Sequence, residues 1–216
     1  MKVVHVCANP KPIEESASKQ LAAAFFETLT EKNPEVEIDN IDLYNEPPPF
    51  LSAQALRALY YPSVDPGYQP TEEERRACEY AVQQASRIRD GDVLVFTTPM
   101  WNFSLPGIVK AWIDQVFSPG ILFQFEGITV KPLHSIGRAF LLAASGGVYK
   151  EDDPRDALTR QLRALLEFVG IPELSVAWAD GQNPAIYGDS DQRRELALEA
   201  ARELAEELAE TLAART

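Results

Sequence analysis

"TTPMWNFSLPGIVKAWIDQVF" (residues 97–117) decides how the rest of the chain is read. It opens as the end of an apolar strand and closes as an amphipathic helix. Pro99 ends the strand, Pro106 stands in the first helical turn, where a missing N–H costs little, and Ser104 is placed to cap. Met100, Trp101, Asn102 and Phe103 fill the turn between, where loops are usually small and polar. Such a turn lies at a strand's carboxyl end, the place where open α/β sheets bind ligands. A flat aromatic ligand would use the apolar surface and the Asn102 amide, which both donates and accepts. An aromatic plug over the end of the core fits the spacing equally.

Working outward, five short apolar runs mark buried strands: 2–8, 35–43, 92–98, 138–144 and 173–179. Four are nearly continuous, as in a parallel sheet covered on both faces. The second alternates, with Val36, Ile38 and Ile41 among acids, and suits an edge. Helical periodicity falls between them. Residues 18–32 carry Leu21, Phe25 and Leu29 with Ala22 and Phe26 at spacings of three and four. Residues 71–88 open with Thr71 and Glu74, a capping box. Further helices are expected over 105–117, over 155–169 before Gly170, and over about 190–214, where Leu196, Ala200, Leu204, Leu208 and Leu212 repeat. Strand–helix alternation repeated five times predicts one α/β domain over residues 1–216, an open doubly wound sheet. Residues 44–70 depart from this pattern. They are rich in proline and aromatics, with one short helix at about 52–60, and suit a lid, a subunit contact or plain surface packing.

The composition narrows the functional classes. The 216 residues carry a net charge of −13, which argues against general nucleic-acid or anionic-membrane binding. An anionic ligand must be held by local donors against that field. Cys7 and Cys78 form no metal or redox spacing and read as inert thiols, which fits a reducing compartment. The opening "MKVVHVCA" enters a strand directly, without the features of a signal peptide, and no apolar run approaches a membrane span. A cytoplasmic protein is expected, with no metal.

Two other loops follow strands on the same sheet edge. "ANPKPIEESASKQL" brings Asn9, Pro10 and Lys11, then Ser16 and Ser18 at a helix mouth. That arrangement suits a phosphate, since helix N-termini offer unpaired N–H groups, although taken alone it suits a simple cap better. No "GxGxxG" or "GxxxxGK[ST]" is present, which disfavours dinucleotide and P-loop sites. "SGGVYK" supplies Ser145, Gly146 and Gly147, where backbone can approach a ligand closely, and Tyr149, whose hydroxyl can donate toward it.

Together these segments resemble a known family. "PMWNFSLPGIVKAWIDQVF", "NPKPIEESASKQL" and "SGGVYKEDDPRDALTRQLRALLEFVGI" are similar to the signatures of flavodoxin-like NAD(P)H-dependent oxidoreductases, the FMN-dependent NADH-azoreductases and NAD(P)H:quinone reductases. The resemblance implies a three-layer doubly wound sheet of five parallel strands in order 2-1-3-4-5, and a bound FMN. Ser16 and Ser18 match positions that hold the FMN phosphate. Pro99, Met100, Trp101, Asn102 and Phe103 match residues along the isoalloxazine, and Ser145, Gly146 and Gly147 the loop at its pyrimidine side. Tyr149 resembles a residue that hydrogen-bonds near the flavin in relatives and is the one catalytic candidate. His134 is a weaker candidate for proton transfer. Two features depart from the family pattern. Trp101 stands where Tyr or Phe is more usual, and the short segment 118–134 implies a more open pocket. The implied activity is two-electron, ping-pong reduction of a quinone or azo acceptor by NADH or NADPH, in a homodimer with its site near the subunit contact. The competing readings are a flavodoxin-type electron carrier and a flavin-free sensor or scaffold.

Overall fold

Hydrophobic runs flanked by turn residues build the strands, and amphipathic segments between them build the helices. The computed structural model describes residues 1–150 and 152–213. In chain order the elements are β1 (Lys2–Cys7), a 3-10 turn (Ile13–Glu15), α1 (Ala17–Lys32), β2 (Glu37–Asp42), α2 (Ala53–Val64), α3 (Glu72–Ala77), α4 (Glu79–Arg89) and β3 (Val93–Pro99). They continue with α5 (Gly107–Val116), β4 (Phe123–Glu126), β5 (Thr129–Pro132), β6 (Arg138–Ala144), α6 (Ala157–Phe168), β7 (Glu173–Ala179) and α7 (Ser190–Ala213). Ala214, the last residue of the expected final helix, lies outside the described residues, as does the side chain of Leu212.

β1, β2, β3, β6 and β7 form one parallel sheet in the order β2-β1-β3-β6-β7. Counting only these five, the order is the expected 2-1-3-4-5, and the alternating second run is an edge strand. Asp39 on that edge is held by Lys2 and Arg87, and the Arg87 guanidinium keeps its carboxyl below the usual carboxylate range.

Alternation along the strands divides the core between two faces. Val4, Val6, Leu94, Phe96 and Leu141 pack with Trp112 and Ile113 of α5 and with Leu158, Leu162 and Leu166 of α6. Val3, Val93, Val95 and Phe140 pack with Leu21, Phe25 and Leu29 of α1 and with Ala201, Ala205 and Leu208 of α7. Trp112 is fully buried, and its indole N–H donates to Gln84 Oε1 at 3.2 Å, so the polar handle of the largest core residue is satisfied.

Several boundaries differ from the sequence expectation. The helix expected over 71–88 has its capping box, with Thr71 Oγ1 accepting from Glu74 N and Glu74 accepting from Thr71 N. It then breaks at Cys78, whose N–H bonds Arg75 O and whose thiol leans on Ala55 O, giving α3 and α4. The short helix expected at about 52–60 extends to Val64 through Pro62, capped by Ser52. Ser104 does not cap α5. The N-cap position falls to Pro106, and Ser104 Oγ turns to Gln161 instead. Segment 118–134 contains the β4–β5 hairpin, which the apolar-run reading missed. Its two-residue connection, Gly127–Ile128, has Gly127 at φ 66°, a conformation that favours glycine. Gly170 ends α6 as expected. Its φ is 92°, and a Cβ there would meet Pro132 Cγ at 2.3 Å, so both backbone and space require glycine.

His5 sits in the middle of β1, 8% exposed, with Nε2 2.7 Å from Thr97 Oγ1 and its ring 4.7 Å from Phe26. Burial pushes its pKa down to about 4, against partial offsets from Asn40 and Asp42. The unfolded chain therefore takes up this proton first as pH falls. The contribution of His5 is complete above pH 6.5 and declines until about pH 4. Urea unfolding at stepped pH should show a loss on the order of 3 kcal/mol across that window. His5→Gln should flatten the slope there, and an unchanged slope would assign the loss to other groups.

Candidate active site

The carboxyl edge of the sheet holds a cleft of about 350 Å³. Its walls come from the β1–α1 loop (Asn9, Lys11, Ser16), the β3–α5 turn (Pro99, Met100, Trp101) and the β6–α6 loop (Ser145, Gly146). The volume falls at the lower end of ligand pockets. Three loops expected to converge do so.

At one end, α1 begins. Ser16 is its N-cap, and Ser16 Oγ accepts from Lys19 N at 3.2 Å. Asn9 Nδ2 donates to Ser16 Oγ at 2.7 Å and to Ser18 Oγ at 3.1 Å, while Asn9 Oδ1 accepts from Lys11 N at 3.1 Å. The capping role and the ligand role are thus compatible. Asn9 and Lys19 satisfy the acceptor side of the Ser16 oxygen, the two serine hydroxyls share a hydrogen bond of 3.3 Å, and one hydroxyl proton of the pair remains to donate. Ser18 is fully buried and reaches the cleft through Asn9 and Ser16 rather than by lining it. α1 has no acid in its first turn, so its N-terminal field is not cancelled there.

The β3–α5 turn is strained. Asn102 and Phe103 have φ of 50° and 68°, and Trp101 and Ser104 exchange two backbone hydrogen bonds of 3.1 Å around them. This is a two-residue turn of the primed kind. Asn tolerates that region and Phe does not, so Phe103 stores strain of order 1–3 kcal/mol. α6 holds the turn in place: Ala157 N donates to Phe103 O at 3.0 Å and Ser104 Oγ to Gln161 Oε1 at 3.2 Å. Trp101 and Phe103 remain 42% and 52% exposed. Exposed aromatics on a strained turn are poor core plugs and good ligand surfaces. Met100 is buried beneath them, and Asn102 and Phe103 stand beside the cleft lining rather than in it.

In the third loop, Ser145 Oγ donates to Gly147 O at 2.9 Å and accepts from Trp178 Nε1 at 2.9 Å. The hydroxyl is committed within the protein. Tyr149 is not in the cleft wall. Its ring stacks on Trp178 at 5.7 Å and meets Phe103 edge-on at 6.5 Å, with the Arg155 guanidinium over it. His134 is remote in kind as well as place. It precedes β6, at the opposite end of the strands, with Nε2 donating to Val169 O at 3.0 Å and Nδ1 accepting from Ile136 N at 3.2 Å. Both nitrogens are structural, and burial lowers its pKa. Cys7 and Cys78 are buried, with burial as the main cause of their raised thiol pKa values.

Sequence reasoning missed the fourth wall. Gln182 and Arg194, from the β7–α7 loop and the first turns of α7, complete the cleft, and Arg194 pairs with Asp191 at 2.6 Å. The β4–β5 hairpin takes no part in this cleft. It faces a separate, more apolar one of about 620 Å³ beside α2 and α4. Among the described residues no cluster of His, Cys, Asp and Glu could hold a metal, and no helix is long and apolar enough to cross a membrane.

A model of the flavodoxin-like fold matches residues 1–207, and the chain belongs to that family. Similar sequences include an FMN-dependent NADH:quinone oxidoreductase of Azotobacter vinelandii, 36% identical over 180 residues, 83% of this chain and 87% of that one. Another, FMN-dependent NADH:quinone oxidoreductase 1 of Bacillus licheniformis, is 30% identical over 204 residues, 93% of this chain and 96% of that one. Among solved structures, an azoreductase from Bacillus anthracis superposes with a TM-score of 0.83 at 26% identity, over 96% of this chain and 99% of that one.

Strain at Phe103 makes a prediction about stability. Phe103→Gly relieves the left-handed backbone and loses only a half-exposed ring. Denaturant unfolding of the ligand-free protein should stay within about 1 kcal/mol of the parent or move upward. A drop beyond about 2 kcal/mol would mean the ring is there for packing.

Proposed function

We propose that this protein is an FMN-dependent NAD(P)H:quinone oxidoreductase that also accepts azo compounds. The observation carrying this reading is the convergence, in one cleft, of a hydroxyl-lined helix N-terminus, an exposed aromatic turn and a glycine loop. The donor set fits FMN. Ser16, supported by Asn9 and Ser18, would take the phosphate at the α1 N-terminus. Pro99, Met100 and Trp101, with Asn102 and Phe103 beside them, would flank the ring, and Ser145, Gly146 and Gly147 would meet its polar edge. The names of the two quinone-reductase relatives and of the azoreductase neighbour support the same assignment. Core clusters on both faces of the sheet support a three-layer arrangement in a single domain.

When bound, FMN supplies the redox chemistry, and the protein supplies position, dryness and charge compensation. Met100 excludes water beneath the turn. Trp101 and Phe103 present apolar surface at the mouth, where a nicotinamide or a flat acceptor would lie. The backbone donors of the glycine loop would favour a more negative, reduced form of the bound group. No side chain in the cleft is placed as an obligatory acid or base. Nucleotide and acceptor compete for one opening, so neither is bound while the other reacts. A cytoplasmic setting agrees with the two buried, unpaired thiols.

The test is steady-state turnover of FMN-loaded protein with NADH and NADPH against quinones and azo dyes. Turnover without a separate reductase is expected, with parallel double-reciprocal lines. Intersecting lines would sink the one-opening mechanism, and absence of nucleotide oxidation would favour the electron-carrier reading. Asn102→Ala should weaken FMN binding, whereas the distant Glu207→Ala should not.

We also infer a homodimer formed through the 44–70 excursion. Phe50 and Val64 there are 86% and 79% exposed, and Val82 and Phe125 expose further apolar surface at the neighbouring cleft. An apolar surface of this kind marks a contact. Sedimentation at micromolar concentration should give a dimer, and replacing Phe50 and Val64 by Asp together should give a monomer. A parent protein that sediments only as monomer would overturn the inference.

A further inference from the structure

We propose that Trp178 is a positioning residue, which acts through Ser145 to hold the glycine loop so that the Gly146 N–H faces the ligand. This deepens the flavin assignment and rests on it. Trp178 is the penultimate residue of β7, half-buried, and does not line the cleft. Its indole N–H is a donor with no acceptor capacity. By donating to Ser145 Oγ at 2.9 Å, it leaves the single hydroxyl proton of Ser145 to be given elsewhere, and that proton goes to Gly147 O at 2.9 Å. Gly181 N donates to the same carbonyl at 2.9 Å, and Gln182 N donates to Ser145 O at 2.9 Å.

A trans peptide unit points its C=O and N–H in opposite directions. Gln182 N holds Ser145 O inward and so turns the Gly146 N–H away from the protein, while the chain from Trp178 through Ser145 Oγ to Gly147 O closes the loop on either side of Gly146. Gly146 lies in the cleft wall. Its amide has no hydrogen-bond partner among the described residues. An outward N–H at the polar edge of the flavin is what the chemistry asks of this loop, since it favours the reduced, more negative form. Tyr149 belongs to the same device. It stacks on Trp178 at 5.7 Å, 24° from parallel, with the Arg155 guanidinium over its ring, and this stack holds the indole in its plane. Its hydroxyl occupies the space beside Gly147, where a Cβ would come within 3.3 Å of it, so a larger residue there would press on the Tyr149 ring. Tyr149 thus supports the indole rather than the ligand.

The test compares Trp178→Phe, which keeps a stacking ring and removes only the N–H, with Ser145→Ala and the double variant. Two quantities are read: the dissociation constant for FMN, from flavin fluorescence, and the midpoint potential of the bound flavin. Trp178→Phe should weaken FMN binding about 3- to 10-fold, the scale of one hydrogen bond, and shift the potential to a more negative value. The double variant should match Ser145→Ala alone, because the indole acts through that hydroxyl. Losses that add in full, or a Trp178→Phe protein that melts lower with an unchanged potential, would overturn the proposal. If Trp178→Phe is not recovered folded, Ser145→Ala decides alone, and an unchanged potential overturns the proposal. A parent protein that takes up no FMN is a separate outcome, which removes the flavin assignment itself.

Discussion

Three hydrogen bonds finish the parallel ladder, and the cleft hangs from them. Ala8 N donates to Thr97 O at 2.8 Å, Met100 N to Ala144 O at 2.8 Å, and Ser145 N to Ala179 O at 3.0 Å. Each lies one residue past the end of a strand and ties the root of one loop to the neighbouring strand. Parallel strands in register put those roots side by side at one edge. The distances between the loop roots Ala8, Met100 and Ser145 are thus set by the 4.7–4.9 Å strand spacing of a sheet, not by flexible loops. The two packed faces matter to the site for this reason. Burying Trp112 on one face and Phe25 on the other keeps the sheet, and hence the loop roots, in place.

Beyond those roots the loops differ in how they are held. The first is shaped by a polar side chain, Asn9, which turns two serine hydroxyls to a common purpose. The second is forced into left-handed backbone at Asn102 and Phe103 and depends on α6 for support. The third owes its shape to Trp178 and Ser145. The second and third share a neighbour, since Phe103 and Trp178 both touch Tyr149. The second and third loops are therefore in contact outside the cleft as well as across it.

The sheet was legible because buried parallel strands are written as uninterrupted apolar runs, and a run such as Val93–Thr98 has no competing helical reading. The three loops were legible because each followed such a run. The β4–β5 hairpin escaped because its strands are four residues long and half exposed, and its signal is one glycine between Phe125 and Thr129. Ser104 was misassigned as a cap because serine before a helix is a local signal, whereas its partner, Gln161, is brought near by the fold. Gln182 and Arg194 were invisible for a related reason. Gln182 lies on a loop with no glycine pair and no apolar turn, Arg194 lies in the first turns of α7, and only the placement of β7 beside β6 carries them to the cleft. Trp178 read as one more apolar residue of a strand, since nothing local says where its N–H points.

Charge completes the account. A chain with net charge −13 repels a phosphate at long range, yet that field is screened within about 8 Å at physiological ionic strength. At the α1 N-terminus the near field is different. Glu14 and Glu15 are opposed by Lys11 and by the unpaired N–H groups of the first helical turn, while Arg194 from across the cleft is paired with Asp191. The cleft thus has no large excess of either sign. Hydrogen-bond donors at serine and backbone suit a tetrahedral, multiply accepting group better than a bare carboxylate. Screening at that range lets an overall acidic surface cost such a ligand little, while its long-range field opposes polyanions.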